Sequence, residues 1–196
     1  MSELGTLLLG YLFGSVPFGL LLVRFAGLGD VRSIGSGNIG TTNVLRTGRK
    51  DLAAATLVLD ALKGAVAVGL AALLFEGSQV HMGLAGAGAF LGHCFPVWLR
   101  FRGGKGVATF LGTMLAFDWR IGLVAVVVWI LCAVVTRYSS LSALCAALVA
   151  PALLFVFGHF AFGLAATAMT ALVFWRHREN IARLRGGTES KIGQKG

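Results

Sequence analysis

Charge is scarce along this chain. Only 13% of its 196 residues are charged, about half the share found in soluble domains. Proline is rarer still, at three residues. Cysteine stops at Cys94, Cys132 and Cys145, each inside an apolar run, with no C-x-x-C and no histidine at metal spacing. An odd count without spacing excludes a disulfide framework and a zinc site, and the thiols read as small apolar packing groups. There is no His-Glu-x-x-His, no Gly-x-Ser-x-Gly elbow and no acidic cluster able to hold Mg²⁺. Metal hydrolysis, serine-type hydrolysis and metal-assisted phosphoryl transfer therefore lose their usual signatures. No metal and no cofactor is expected.

What is present is apolar surface. Residues of the hydrophobic class make up 57% of the chain, and mean hydropathy is +0.83. These values describe an integral membrane protein. A spanning helix needs about 20 apolar residues. The runs are 4–25 (with Pro17 set to kink it), 52–75, 80–99, the short 107–117, 119–135, 141–157 and 159–175. The last two form a hairpin turning at Gly158. The expectation is an all-α protein of seven transmembrane helices, one polytopic domain over 1–196 with a basic tail from about 176. The first run has no basic n-region and no small-residue cleavage site, so it is expected to be retained.

The net charge of +9 would suggest nucleic acid in a soluble protein. Here Lys and Arg fall between and after the apolar runs. With the N-terminus outside, 15 of the 17 basic residues are cytoplasmic, leaving Arg120 outside and Lys63 within a span. The positive-inside rule thus sets N-out, C-in, with no nucleic-acid partner. His81 and His159 then fall near the outer surface.

Four polar segments fall on the cytoplasmic side. The first, 33–46, reads Ser-Ile-Gly-Ser-Gly-Asn-Ile-Gly-Thr-Thr-Asn-Val-Leu-Arg. Its glycines let successive N–H groups converge on an anion, and Arg46 suits two-pronged phosphate contact. Gly35-x-Gly37-x-x-Gly40 imitates a dinucleotide fingerprint, but apolar helices flank it where a βαβ unit is required. The second segment, Gly103-Gly104-Lys105-Gly106, sets a lysine at a helix start, where free N–H groups favour an anion. The third, around Ser140 and Ser142, opens the sixth run, where hydroxyls cap the helix or touch substrate. The fourth carries His177, Asn180 and Leu184 at i, i+3 and i+7, one helix face able to bind a polyol or phosphate. Arg183 is taken to lie well round that helix, facing lipid. Within the second run, Asp60 and Lys63 sit at i, i+3 and are expected to pair inside the bundle as structural support. His93 is expected to be a packed histidine.

Together, Ser36-Gly37-Asn38-x-Gly40-x-Thr42-Asn43-x-x-Arg46, Gly103-Gly104-Lys105-Gly106-Val107-Ala108-Thr109 and His177-x-x-Asn180-Ile181-x-Arg183-Leu184 closely resemble the bacterial acyl-phosphate:glycerol-3-phosphate acyltransferase family. Leu59-Asp60-x-x-Lys63-Gly64 agrees, and Thr41 stands where that family often has Ala. The resemblance implies transfer of a fatty acyl group from long-chain acyl phosphate to the 1-hydroxyl of glycerol 3-phosphate. Lysophosphatidate and phosphate would be the products, made at the bacterial plasma (inner) membrane. It implies that Ser36, Arg46, Lys105, His177 and Asn180 bind glycerol 3-phosphate, with Ser36, Lys105, His177 and Asn180 catalytic. Asn38, Thr41, Thr42, Asn43 and the Ser140–Ser142 turn would hold the acyl-phosphate head, with Gly40, Gly103 and Gly104 lining the site. Membrane lipid and a soluble acyl-phosphate-forming enzyme are the expected partners. The absence of a His-x4-Asp signature fits a donor other than acyl-CoA. A small-anion or lipid transporter is the competing reading, disfavoured because the polar groups gather on one face and no inverted repeat is visible.

Overall fold

A computed structural model describes residues 2–193 and contains helices and turns, with no strand among those residues. In chain order the helices are α1 (Glu3–Gly14), α2 (Phe18–Phe25), the single turn α3 (Thr41–Val44), α4 (Lys50–Leu74) and α5 (Gln79–Cys94). They continue with α6 (Val107–Phe117), α7 (Trp119–Thr136), α8 (Ser139–Val156), α9 (Phe160–Arg176) and α10 (Arg178–Arg185). Five stretches are long and apolar enough to cross a membrane: Glu3–Phe25, Lys50–Leu74, Gln79–Leu99, Trp119–Thr136 and Ser139–Val156. Val107–Phe117 and Phe160–Arg176 are apolar but shorter. Of the basic tail, Lys195 lies outside the described residues.

The first apolar run is broken rather than bent. Pro17 has no N–H and its ring obstructs the preceding turn, so α1 stops at Gly14 and α2 restarts at Phe18. A break inside an apolar bundle strands carbonyls that have no water to turn to. Two distant side chains meet them. Trp98 Nε1 donates to the Ser15 carbonyl at 2.6 Å, and Lys63 Nζ donates to that of Val16 at 3.0 Å. Lys63 also binds Asp60 Oδ1 at 2.8 Å, both side chains being 3% exposed, as the i, i+3 spacing predicts. His93 stands 3.7 Å from the same carboxylate. This buried pair thus anchors the break in the first run.

Small residues let the helices approach closely. Gly10 and Gly14 of α1 lie over the backbone of Ala85 and Ala89 of α5, and Gly88 and Gly92 return the contact on Leu7 and Tyr11. A methyl at any of these four would collide with backbone. The main core, including Phe90, Phe110, Met114, Leu154, Met169 and Val173, fills the space between α5, α6, α8 and α9. A second small core of Leu20, Val23, Val31, Ile39 and Val44 lies beneath the first polar segment. That segment is therefore a packed loop, fastened by Val31 just before it and by Ile39 and Val44 of its own.

Candidate active site

Asn43 organises the first loop. Its amide nitrogen donates to the carbonyls of Val31, Asn38 and Ile34 at 2.7, 2.8 and 3.2 Å. Its oxygen accepts from the N–H and hydroxyl of Ser36 at 3.1 and 3.3 Å. Only 2% of the residue is exposed. Asn43 therefore shapes the loop, and its expected contact with substrate is corrected on that ground: its hydrogen-bonding capacity is already spent. Asn38 Oδ1 and Thr41 Oγ1, by contrast, are buried without a partner among the described residues. Gly40 precedes α3, and Thr42 Oγ1 lies 3.2 Å from Ser139 Oγ, joining this loop to the start of α8.

The second loop is held from across the bundle. Arg176, at the end of α9, donates to the carbonyls of Gly103 and Gly104 at 2.8 and 3.1 Å. The two glycines are required sterically, since a methyl on Gly104 would meet the His93 ring and one on Gly103 the His93 carbonyl. With the loop so clamped, Lys105 projects to Asn180 of α10 and donates to its Oδ1. Burial dominates the titration of Lys105, lowering its pKa from 10.5 to about 8, with Arg183 adding repulsion.

His177 turns the chain from α9 into α10 and is 3% exposed. Its Nδ1 lies 2.8 Å from the Val173 carbonyl. A carbonyl only accepts, so Nδ1 carries the proton and a neutral ring keeps its Nε2 lone pair. Burial lowers its pKa to about 4, so the ring is neutral near pH 7.

Ser142 Oγ turns back to the Tyr138 carbonyl at 2.8 Å, a helix-opening contact. Ser140 Oγ instead donates to Glu189 Oε1 at 2.7 Å. The same carboxylate accepts from Asn180 Nδ2 at 2.6 Å and from Arg183 Nε at 2.6 Å. Beside it, Ser190 Oγ accepts from Arg46 Nη2 at 2.9 Å. Arg183 is thus not the lipid-facing residue expected. Three residues along a helix is a rotation of about 60°, and Asn180 and Arg183 share the face that grips Glu189.

The four separate segments consequently meet in one hydrogen-bonded network: Ser36 with Asn43 and Arg46, Thr42 with Ser139, Lys105 with Asn180, and Ser140, Asn180 and Arg183 with Glu189. Sequence reasoning missed Glu189 and the clamp by Arg176. Neither carries a local signal beyond being one of two acids in a basic tail and the basic residue that ends a helix. No group of three or more His, Cys, Asp or Glu able to hold a metal occurs among the described residues.

A family model described as glycerol-3-phosphate acyltransferase matches residues 4–187. A protein of that name from Rhodopseudomonas palustris (strain BisB5) is 60% identical over 192 residues, covering 98% of this chain and 97% of its own. Its namesake from Brucella ovis is 58% identical over 193 residues, covering 98% and 94%. Two crystal structures of PlsY, an integral membrane glycerol 3-phosphate acyltransferase, superpose closely. The glycerol 3-phosphate form has a TM-score of 0.92 at 37% identity, and the lysophosphatidic acid form 0.91 at 36%. Each alignment covers 98% of this chain and 96% of the other. On sequence and on fold alike, this chain belongs to the glycerol-3-phosphate acyltransferase family of integral membrane enzymes.

Proposed function

We propose that the enzyme takes its acyl group from acyl phosphate and delivers it to the 1-hydroxyl of glycerol 3-phosphate, releasing 1-acyl-glycerol 3-phosphate and inorganic phosphate. The observation that carries this reading is the junction itself. Lys105, Arg46, Arg183, Ser140 and Asn180 bring cations and donors to one place, beside a neutral His177 whose Nδ1 is held by the Val173 carbonyl rather than by a carboxylate. An acyl phosphate is a mixed anhydride, activated before it arrives, so no nucleophile has to be generated on the protein. What remains to be supplied is proximity and charge stabilisation for two anionic substrates.

In this mechanism the glycerol 1-oxygen attacks the acyl carbon. The new C–O bond forms, negative charge collects on the carbonyl oxygen, and the bond from carbon to the phosphate oxygen then breaks. Lys105 stabilises the developing charge, and Arg46 grips the phosphate of glycerol 3-phosphate. His177 Nε2 and Asn180 orient the glyceryl hydroxyls, with Ser36 assisting. The hydroxyl proton passes to the departing phosphate. Asn38, Thr41, Thr42 and the Ser140–Ser142 turn receive the acyl-phosphate head, while Asp60 and Lys63 support the site from within the bundle.

The same network supports a topology of seven crossings with the N-terminus outside. The loops after α2, α5 and α7 and the tail after α9 are hydrogen-bonded to one another, so α6 and α7 form an out-and-back pair despite the shortness of α6. The turns bearing Asp118 and His159 meet each other, His159 Nε2 lying 3.3 Å from Asp118 Oδ2, the counterpart at the opposite end. With the site cytoplasmic, the enzyme belongs in the bacterial plasma membrane, where a soluble acyl-phosphate-forming enzyme would supply the donor. Purified protein given synthetic acyl phosphate and glycerol 3-phosphate should release phosphate in step with lysophosphatidate. Comparable turnover with acyl-CoA or acyl carrier protein would refute the donor assignment, and absence of phosphate release would refute the reaction.

A further inference from the structure

Glu189 is the acid on which side chains from two of the four segments close, and it comes from a tail otherwise rich in basic residues. Its side chain is only 6% exposed and accepts from Ser140, Asn180 and Arg183 at 2.6–2.7 Å. The tail beyond it is fastened on both sides. Ser190 accepts from Arg46, and the Ile192 N–H donates to the Arg137 carbonyl at 2.7 Å while Arg137 Nη2 donates back to the Ile192 carbonyl at 3.2 Å. The carboxylate is thereby held in place from α8, α10 and the tail at once.

The donor logic of Asn180 is then forced. A carboxylate only accepts and an ammonium only donates. With Glu189 on one side, the Asn180 amide must present its NH2 there and its oxygen to Lys105. We propose that Glu189 is a positioning residue for the acyl transfer: it locks the Asn180 amide with its oxygen toward Lys105 and sets a permanent negative charge beside that ammonium. The inference rests on the reaction proposed above. Glu189 touches neither reacting centre and works through Asn180 and Lys105.

The charges around Lys105 make the role measurable. Glu189 from the tail and Glu179 from α10 favour its ammonium, while Arg183 from α10 and Arg176 from α9 oppose it, and His177 is neutral. Removing Glu189 and removing Arg183 must therefore move the Lys105 titration in opposite directions. Mere structural support would instead cost folded protein, with no fall in kcat per folded molecule at a nearly constant KM.

The experiment compares wild type with Glu189→Gln and Arg183→Gln, following kcat, KM for glycerol 3-phosphate and the alkaline limb of kcat/KM. Competitive labelling by acetic anhydride, read by mass spectrometry at the Lys105 peptide, reports the same ionisation without any acyl donor. Glu189→Gln should lower kcat roughly tenfold to a hundredfold, with KM changing far less. Its Lys105 titration should fall by about half a unit or more, whereas that of Arg183→Gln should rise. Should Glu189→Gln fail to remain monodisperse in detergent, the rise in Arg183→Gln is still required. Normal kcat in Glu189→Gln, an unmoved titration in either variant, or shifts of the same sign overturn the inference. Failure of wild type to turn over acyl phosphate sinks the proposed reaction instead, and the labelling still reads what Glu189 does to Lys105.

Discussion

Replacing Asp60 by Asn leaves the Lys63 ammonium buried beside an uncharged amide, with the Val16 carbonyl as its other partner. Removing one member of a buried pair destabilises by about 3–5 kcal/mol, because the survivor is an uncompensated charge. Lys63→Met should be costly for a second reason as well. It strands the Asp60 carboxylate with His93 at 3.7 Å and deprives the Val16 carbonyl of a donor, a loss of about 1–3 kcal/mol for a buried unsatisfied group. The double variant Asp60→Asn/Lys63→Met removes both charges and retains only that carbonyl penalty. Its destabilisation should therefore be about 1–3 kcal/mol, well short of the sum of the singles. The cycle can be run by titrating sodium dodecyl sulfate into mixed micelles and following loss of helical structure, with turnover per folded molecule measured alongside. A neutral Asp60→Asn, or a double variant as damaged as the two singles added together, would refute the claim that the pair holds the break at Pro17.

Gly104→Ala places a methyl against the His93 ring, and overpacking of this kind costs about 1–3 kcal/mol. The loop should yield before the buried histidine does, shifting Lys105 and lowering kcat/KM in a protein that still purifies folded; unchanged kinetics would show that the contact is slack. If Arg46 holds the acceptor phosphate as proposed, Arg46→Ala removes a charge-assisted contact of about 1.5–3 kcal/mol, so the KM for glycerol 3-phosphate should rise roughly tenfold to a hundredfold at little change in kcat. A fall in kcat at constant KM would move Arg46 from the phosphate to the reacting centre.

Much of this fold is legible because its rules are local. Run lengths locate the helices, Pro17 marks the break, Gly158 (φ +80°) allows the tight α8–α9 turn, and i, i+3 spacing pairs Asp60 with Lys63. The carbonyl partners of the break are not legible, since Trp98 lies 83 positions from Ser15 and no periodicity links them. The site divides along the same line. Loop chemistry marks donors, but sequence cannot reveal which donors are already engaged. Asn43 resembles an anion ligand until its carbonyl partners 5, 9 and 12 residues upstream are counted. Arg183 is a different kind of miss, since helix rotation alone puts it beside Asn180. Glu189 could be found only in three dimensions, because its meaning depends on three segments converging on it.

The burial that lowers the Lys105 pKa to about 8 also makes its charge effective, because a partly desolvated ammonium acts through a low dielectric. The sign of the pH effect follows. The group is lowered and, in the proposed role, must be charged to act, so its contribution is present below pH 8 and is lost as pH rises through that value. In free enzyme about nine-tenths of Lys105 is charged at pH 7 and a little under one-tenth at pH 9, a roughly tenfold fall expected in kcat/KM, which reports the free enzyme. In the proposed reaction bound substrates change the balance, for two phosphate-bearing anions placed beside Lys105 would favour its ammonium. The alkaline limb of kcat, which reports the substrate-bound enzyme, should therefore lie above that of kcat/KM. His177, neutral down to about pH 4, should add no limb near the usual histidine range. Lys105→Ala should lose about 10²–10³ in kcat and the limb with it. Full pH profiles of both parameters, with substrate ionisation determined separately, test the argument. Coincident limbs would mean that the bound anions do not face Lys105, and a limb persisting in Lys105→Ala would assign the titration to another group.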